Sequence, residues 1–193
     1  MVSKYPIGTY HIETTRLHGQ SHPRYAELPV KRRFLLDILA TQRYCCVVAI
    51  PTFEPGGNLP PGVYWADWQE FAARFGLSPY RRRILLGLHQ ALKLLQAAGC
   101  VTAYIDGSFV TQKDFPGDFD GCWDVRGVDP NKLDPVFLDL SNKRAAQKAR
   151  FLGEFFPAQV PNGISGRTFL EFFQIDKNTG IQKGIVAIDL RRL

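Results

Sequence analysis

The stretch from Val101 to Val125, VTAYIDGSFVTQKDFPGDFDGCWDV, constrains this chain more than any other. An apolar run ends in Gly107-Ser108, a polar and turn-rich segment follows, and the chain re-enters as Asp118-Phe119-Asp120. On a strand, side chains two residues apart project to one face, so Asp118 and Asp120 would stand together. Two like charges held that close repel and are costly unless a cation sits between them. Magnesium is the expected cation, because it prefers hard oxygen ligands and is commonly shared between protein carboxylates and substrate phosphates. Taken singly, the parts also have local explanations. Gly107-Ser108 could be a strand-end turn, Asp118 a turn cap after Pro116-Gly117, and Asp106 a local cap.

The elements before this stretch are punctuated by their own residues. Pro51 to Gly62 (PTFEPGGNLPPG) has linker composition and is the expected boundary between residues 1–58, an N-terminal extension or small subdomain, and residues 59–193. Asp67 is placed to cap a helix, with Glu70 completing a capping box, Trp68, Phe71, Ala72 and Phe75 forming its stripe and Gly76 stopping it. Trp65 and Trp68 are expected to pack that helix start on the sheet. Ser78-Pro79 opens a second helix, along which Ile84, Leu85, Leu88, Leu92, Leu95 and Ala98 recur at three and four until Gly99. Arg81 to Arg83 lie in its first turn, where the helix dipole disfavours positive charge; they either hold a phosphate or partner, or form a solvated basic surface. Cys100 to Ile105 then reads as a central strand, apolar on both faces apart from Thr102, and Phe119 to Val125 as the next, with Trp123 in the core.

Beyond it the signals are shorter. Val136 to Leu140 fits a strand or a helical turn, and Ser141 is placed to cap a basic helix through Arg150. Phe151 to Gln159 is apolar with Glu154 inside it; Phe169 to Phe173 fits a helix or a strand. Asp176 to Gly180 is a hairpin turn without the later ligands of a calcium loop, and Gln182 to Leu190 is the last strand. Before the linker, Lys31 to Ala40 and Tyr44 to Ile50 read as strand-turn-strand or helix then strand, and His11, His18 and His22 match no metal-ligand spacing.

Composition narrows the class. A chain of 193 residues with 45% hydrophobic content can bury a core as one domain. No window of eighteen apolar residues exists, and Met1 to Tyr10 lacks the apolar centre of a signal peptide, so a cytoplasmic location without membrane contact is expected. Cys45, Cys46, Cys100 and Cys122 form no Cys-x-x-Cys pair, which leaves buried free thiols. The net charge of +6, from 24 basic and 18 acidic residues, suits a polyanion such as an NTP or a nucleic acid. There is no GxxxxGK[ST] loop, serine elbow or His-Glu-x-x-His site.

Gly107-Ser108, nine intervening residues and then Asp118 and Asp120 resemble the nucleotidyltransferase superfamily, whose members carry Gly-Ser after one strand and Asp-x-Asp on the next. LPPGVYWADWQEFAARFG (Leu59 to Gly76), RRRILLGL (Arg81 to Leu88), AGCVTAYIDGSFVT and PGDFDGCWD are similar to a smaller group of uncharacterised bacterial nucleotidyltransferase-like proteins, sometimes encoded near toxin–antitoxin or mobile elements. The resemblance spans about Leu59 to Leu190. It implies an α/β (α+β) fold, a minimal nucleotidyltransferase-like mixed sheet flanked by helices. It also implies Gly107 and Ser108 against the phosphates of an NTP, and Asp118 and Asp120 as ligands of one or two magnesium ions. Thr111 and Lys113 are added from their position in the intervening loop, Lys113 as a point charge for the β- or γ-phosphate.

The superfamily usually carries a third carboxylate on a later strand. Glu154, costly to bury unpaired among Phe151, Leu152, Phe155 and Phe156, is the first candidate; Asp139 and Asp124 are its rivals. Glutamate departs from the more usual aspartate there. The activity implied is magnesium-dependent transfer of an NMP from an NTP to a hydroxyl of a protein, an RNA or a small molecule. The superfamily also has inactive members, so the competing expectation is a non-catalytic, antitoxin-like partner for protein or nucleic acid. That partner would use the basic surfaces Arg81 to Arg83 and Lys143 to Arg150. Sequence-nonspecific nucleic-acid binding would need those surfaces on one face.

Overall fold

Five short runs rich in aromatic and β-branched residues pair into one sheet: β1 (Gly62–Ala66), β2 (Thr102–Asp106), β3 (Phe119–Trp123), β4 (Gly153–Pro157) and β5 (Gly184–Asp189). The computed structural model describes residues 50–163 and 165–193. The expectations for residues 31–49, for His11, His18 and His22, for Cys45 and Cys46, and for most of the 1–58 extension lie outside the described residues. The strand order is β1-β5-β2-β3-β4. The outer pairs β1–β5 and β3–β4 are parallel, and β5–β2 and β2–β3 are antiparallel. This is a mixed α/β architecture, as the sequence led one to expect at that level.

Alternation assigns the two faces of the sheet. Ala103, Ile105, Phe119, Trp123, Phe155, Val186 and Ile188 are buried in the main core, together with side chains of α1 (Trp68–Phe75), α2 (Pro79–Ala97) and α3 (Ala145–Phe151). Leu88, Leu92 and Leu95 of α2 are fully buried, each contributing roughly 2 kcal/mol. Gly87 lets α3 close on α2, since a β-carbon there would lie 1.9 Å from the Phe151 carbonyl oxygen. The opposite face holds a smaller cluster of Tyr104, Cys122, Phe156, Ile185 and Ala187, packed with Phe173 of the short α4 (Phe169–Phe173). The main core supplies the rigidity, and the thinly covered face carries the polar residues described below.

Several local expectations change. Asp67 caps α1 through Glu70 N–H at 2.8 Å, but the Glu70 carboxylate accepts from Ile50 N–H at 3.0 Å rather than closing a capping box. Within the proline- and glycine-rich stretch, the Pro51 carbonyl accepts from Arg74 at 3.2 Å and Asn58 donates to Asp176 at 2.9 Å. Trp65 sits on β1, half exposed, not at the helix start; Trp68 stacks on Phe71, and Trp123 is core. Ser141 caps no helix. It donates to Asp139, and Asn142, Lys143 and Arg144 take left-handed φ values of 46°, 55° and 59° before α3 begins. Cys100 and Cys122 are buried free thiols, both pushed up in pKa by burial, Cys100 to about 11. Among the described residues, no helix is long and apolar enough to cross a membrane.

Candidate functional site

The register of three strands sets carboxylates side by side. Asp106, the last residue of β2, faces Asp120 of β3, and Asp120 faces Glu154 of β4. Cross-strand neighbours have β-carbons roughly 5 Å apart. All three project from the thinly covered face, because Ile105, Phe119, Gly121 and Phe155 point the other way or leave room for those that do. Asp118, two residues before Asp120, joins them. These four acids line one wall of a cavity of about 750 Å³.

Gly107, Ser108, Thr111 and Lys113 line the same cavity. The seven residues expected at the site therefore converge there. Gly107 has φ 76°, and a β-carbon on it would lie 2.2 Å from Asp120 Oδ2. Only glycine can hold that turn against the carboxylate. Ser108 Oγ donates to the Asp118 carbonyl at 3.4 Å, while Thr111 Oγ1 donates to the Ser108 carbonyl at 2.8 Å and closes the turn. The rivals for the third acid are elsewhere: Asp139 is occupied by Ser141, and Asp124 by Arg126 and Gln159. Phe156, Phe169, Phe172 and Phe173 also line the cavity.

Residues 51–189 match the family model of DUF6932, a family of unknown function, and that span holds the whole sheet and all of α1–α4. The chain belongs to DUF6932. No curated protein and no solved structure matches it.

The sequence points to Asp118, Asp120 and Glu154 at the DUF6932 site, but not to Asp106 or to the cations that pair with the acids. Arg144 grips Glu154 with Nε at 2.6 Å from Oε2 and Nη2 at 3.0 Å from Oε1. Lys148 Nζ bridges Asp118 at 3.0 Å and Glu154 at 3.3 Å. Lys183, at the start of β5, is paired with Asp106. The charge pattern of the sequence puts Arg144 and Lys148 on a basic outer surface and leaves Asp106 a capping role; the structure turns all three to the site. The one available signal was position: Asp106 precedes Gly107 at a strand end, where an antiparallel partner must face it.

Among the described residues, no Lys or Arg pairs with Asp120. Burial pushes its pKa up to about 7, helped by the charges of Asp118, Glu154 and Asp106 and by a hydrogen bond to Glu154. Burial also raises Asp106, more than Lys183 lowers it. Burial opposes the charge on Lys148, but the hydrogen bond to Asp118 and the charge of Glu154 outweigh it and hold its pKa above the ordinary value.

Whether these groups fit a metal divides in two. The donors are hard carboxylate oxygens, which suits magnesium. Among the described residues, however, no group of three or more His, Cys, Asp or Glu is arranged to hold an ion. Arg144 and Lys148 pair with both oxygens of Glu154 and with Asp118 Oδ2. The donor chemistry fits, and an ion drawing on those oxygens would compete with their present partners.

Arg81 answers the question posed by the first turn of α2. It is buried, with Nε 2.6 Å from the Phe75 carbonyl, Nη1 2.6 Å from the Lys113 carbonyl and Nη2 bonded to the Phe109 carbonyl. Its donors are spent within the domain, whereas Arg82 and Arg83 are exposed, as the solvated basic surface would have them. The Gly107 turn gives a direct test: Gly107→Ala should leave a folded protein whose site is displaced. The expected result is a lowered Tm, by roughly 5 °C for about 2 kcal/mol of strain. An unchanged Tm would mean that the close approach to Asp120 costs the fold nothing.

Proposed function

We propose that the DUF6932 domain is a magnesium-dependent nucleotidyltransferase, moving an NMP from an NTP to a hydroxyl of a protein, an RNA or a small molecule. The supporting observation is the row Asp106–Asp120–Glu154, with Asp118 beside it, on one wall of the cavity that the Gly107-Ser108 turn also lines. Asp118, Asp120 and Glu154 would hold the metal, whose contribution is to neutralise charge developing on phosphate oxygens. Gly107 allows the phosphates close to the backbone, and Ser108 turns its hydroxyl from a long bond to one of them. The acceptor oxygen attacks the α-phosphorus, the bond to the bridging oxygen of the β-phosphate breaks, and pyrophosphate leaves. Glu154 takes the hydroxyl proton. Lys113 faces the departing phosphates as a point charge. The sheet, with its acids on adjacent strands, is compatible with the nucleotidyltransferase-like arrangement expected from sequence.

The competing reading, a non-catalytic antitoxin-like partner, loses most of the cations it needed. Arg81, Arg144, Lys148 and Arg150 are bonded within the domain, Arg150 to Asp134 at 2.7 Å. What favours it is the ion pairing that now neutralises Asp118 and Glu154.

Calorimetric titration of each NTP, with and without magnesium, into the protein and into Asp118→Asn and Asp120→Asn tests the proposal. Magnesium-dependent binding in the protein, lost in both variants, is expected. A folded protein that binds no NTP under either condition would remove the enzyme reading and leave the partner role.

A further inference from the structure

Resting on that reading, we infer that Arg144 and Lys148 are phosphate-positioning residues that exchange partners. Without substrate they neutralise Glu154 and Asp118; when a divalent ion binds, they release those carboxylates and pair with the triphosphate.

Three independent features carry the exchange. The first is which atoms are taken. Arg144 Nε and Lys148 Nζ lie 2.6 and 3.3 Å from one oxygen, Glu154 Oε2, and Lys148 lies 3.0 Å from Asp118 Oδ2. A divalent ion drawing on Glu154 Oε2 or Asp118 Oδ2 would compete with two full positive charges at those distances. The second is charge balance. Four carboxylates line this wall, and Lys183 is committed to Asp106. A bound ion would leave Arg144 and Lys148 without carboxylate partners at the moment a polyanion arrives beside them. A guanidinium fork and an ammonium are the two groups best matched to phosphate oxygens.

The third is that the cations reach solvent and the acid does not. Glu154 lies on a strand with its side chain 7% exposed, whereas Arg144 and Lys148 are 27% and 40% exposed. They stand four residues apart, Arg144 at the N-cap of α3 and Lys148 within it, and both face the acids. Arg144 ends the left-handed run Asn142–Arg144, a conformation that side-chain-bearing residues rarely adopt in succession. Its fork on Glu154, and its guanidinium 4.8 Å from the centre of the Phe156 ring, hold that run in place. Releasing Glu154 frees the segment to relax.

The exchange has a signature that a purely structural ion pair lacks: removing either cation should tighten metal binding and loosen nucleotide binding. The probes are Mn2+ alone, followed by electron paramagnetic resonance, and the α,β-methylene analogues of ATP, GTP, CTP and UTP with saturating magnesium, followed by calorimetry. Both are read on the full chain, freed of metal by chelation. Lys148→Gln and Arg144→Gln should bind Mn2+ about tenfold more tightly and the analogues about tenfold more weakly, one lost charge-assisted contact in each direction. If Arg144→Gln does not fold, the half-exposed Lys148 decides alone. Affinities for Mn2+ and analogue that fall together, or an unchanged Mn2+ affinity, overturn the exchange while leaving the enzyme reading intact. A protein and variants that bind neither probe overturn both.

Discussion

Asp120→Asn should stabilise the metal-free domain by on the order of 3 kcal/mol at pH 8 and by almost nothing at pH 4. The carboxylate is pushed up to about 7, first by burial and then by Asp118, Glu154 and Asp106. In an unfolded chain the same group titrates near 4. Between about pH 4 and pH 7 the folded state therefore retains a proton that the unfolded state has given up. Stability from this group falls as pH rises through that window and is flat above it. Asparagine has nearly the same shape, cannot ionise, and can still donate to Glu154. The difference between variant and parent, read from urea midpoints at a series of pH values after chelation, isolates Asp120 from the other acids. Equal stabilities at pH 8 would show that Asp120 carries its charge without cost, and the crowding of the four acids would lose its energetic meaning. On the proposed function, the same substitution should abolish magnesium-dependent nucleotide binding, so stability and binding are expected to move in opposite directions.

Arg81→Met should be the most damaging single change outside the apolar core, costing about 3–5 kcal/mol and lowering Tm by roughly 10 °C. The guanidinium satisfies carbonyls from three places: Phe75 at the end of α1, Phe109 in the turn after Gly107, and Lys113 in the following loop. It also lies over the Phe109 ring, 4.7 Å from its centre. Burial lowers its pKa, against the charge of Asp114. Methionine fills the volume but leaves buried acceptors without donors. Arg81→Lys should rescue little, because one ammonium cannot reach three diverging carbonyls. Thermal unfolding of both variants is the check; a lysine variant as stable as the parent would mean that charge rather than the fork matters.

Legibility in the sequence followed range. The N-cap of α2, its stripe and its stop are written in the consecutive residues from Ser78 to Gly99, and the structure keeps them. Glu154 could be found because a charge inside Phe151 to Phe156 has to be partnered. Arg81 could not, since its three carbonyls come from segments whose proximity depends on tertiary packing, and the dipole argument offered only solvent or an anion. Arg144 and Lys148 were misread because the charge pattern of SNKRAAQKAR was projected on a regular helix beginning at Ser141. Three left-handed residues rotate that start, and the cations face the acids. β1 went unseen between the prolines and the Asp67 cap. Its parallel pairing with β5, like the β5–β2 neighbourhood, joins residues more than eighty positions apart.

The three-strand row also makes this site intolerant of a class of change that surface loops absorb freely. Insertion or deletion of one residue within β3 inverts every later side chain of that strand, exchanging Asp120 with the flanking Phe119 or Gly121 at the pocket wall. Adjustment elsewhere in the chain cannot restore it, because β2 and β4 are both referenced to the same strand. Length variation among DUF6932 sequences should therefore fall outside residues 119–123, and a chain altered there would retain the family's outline while losing the alignment of its acids.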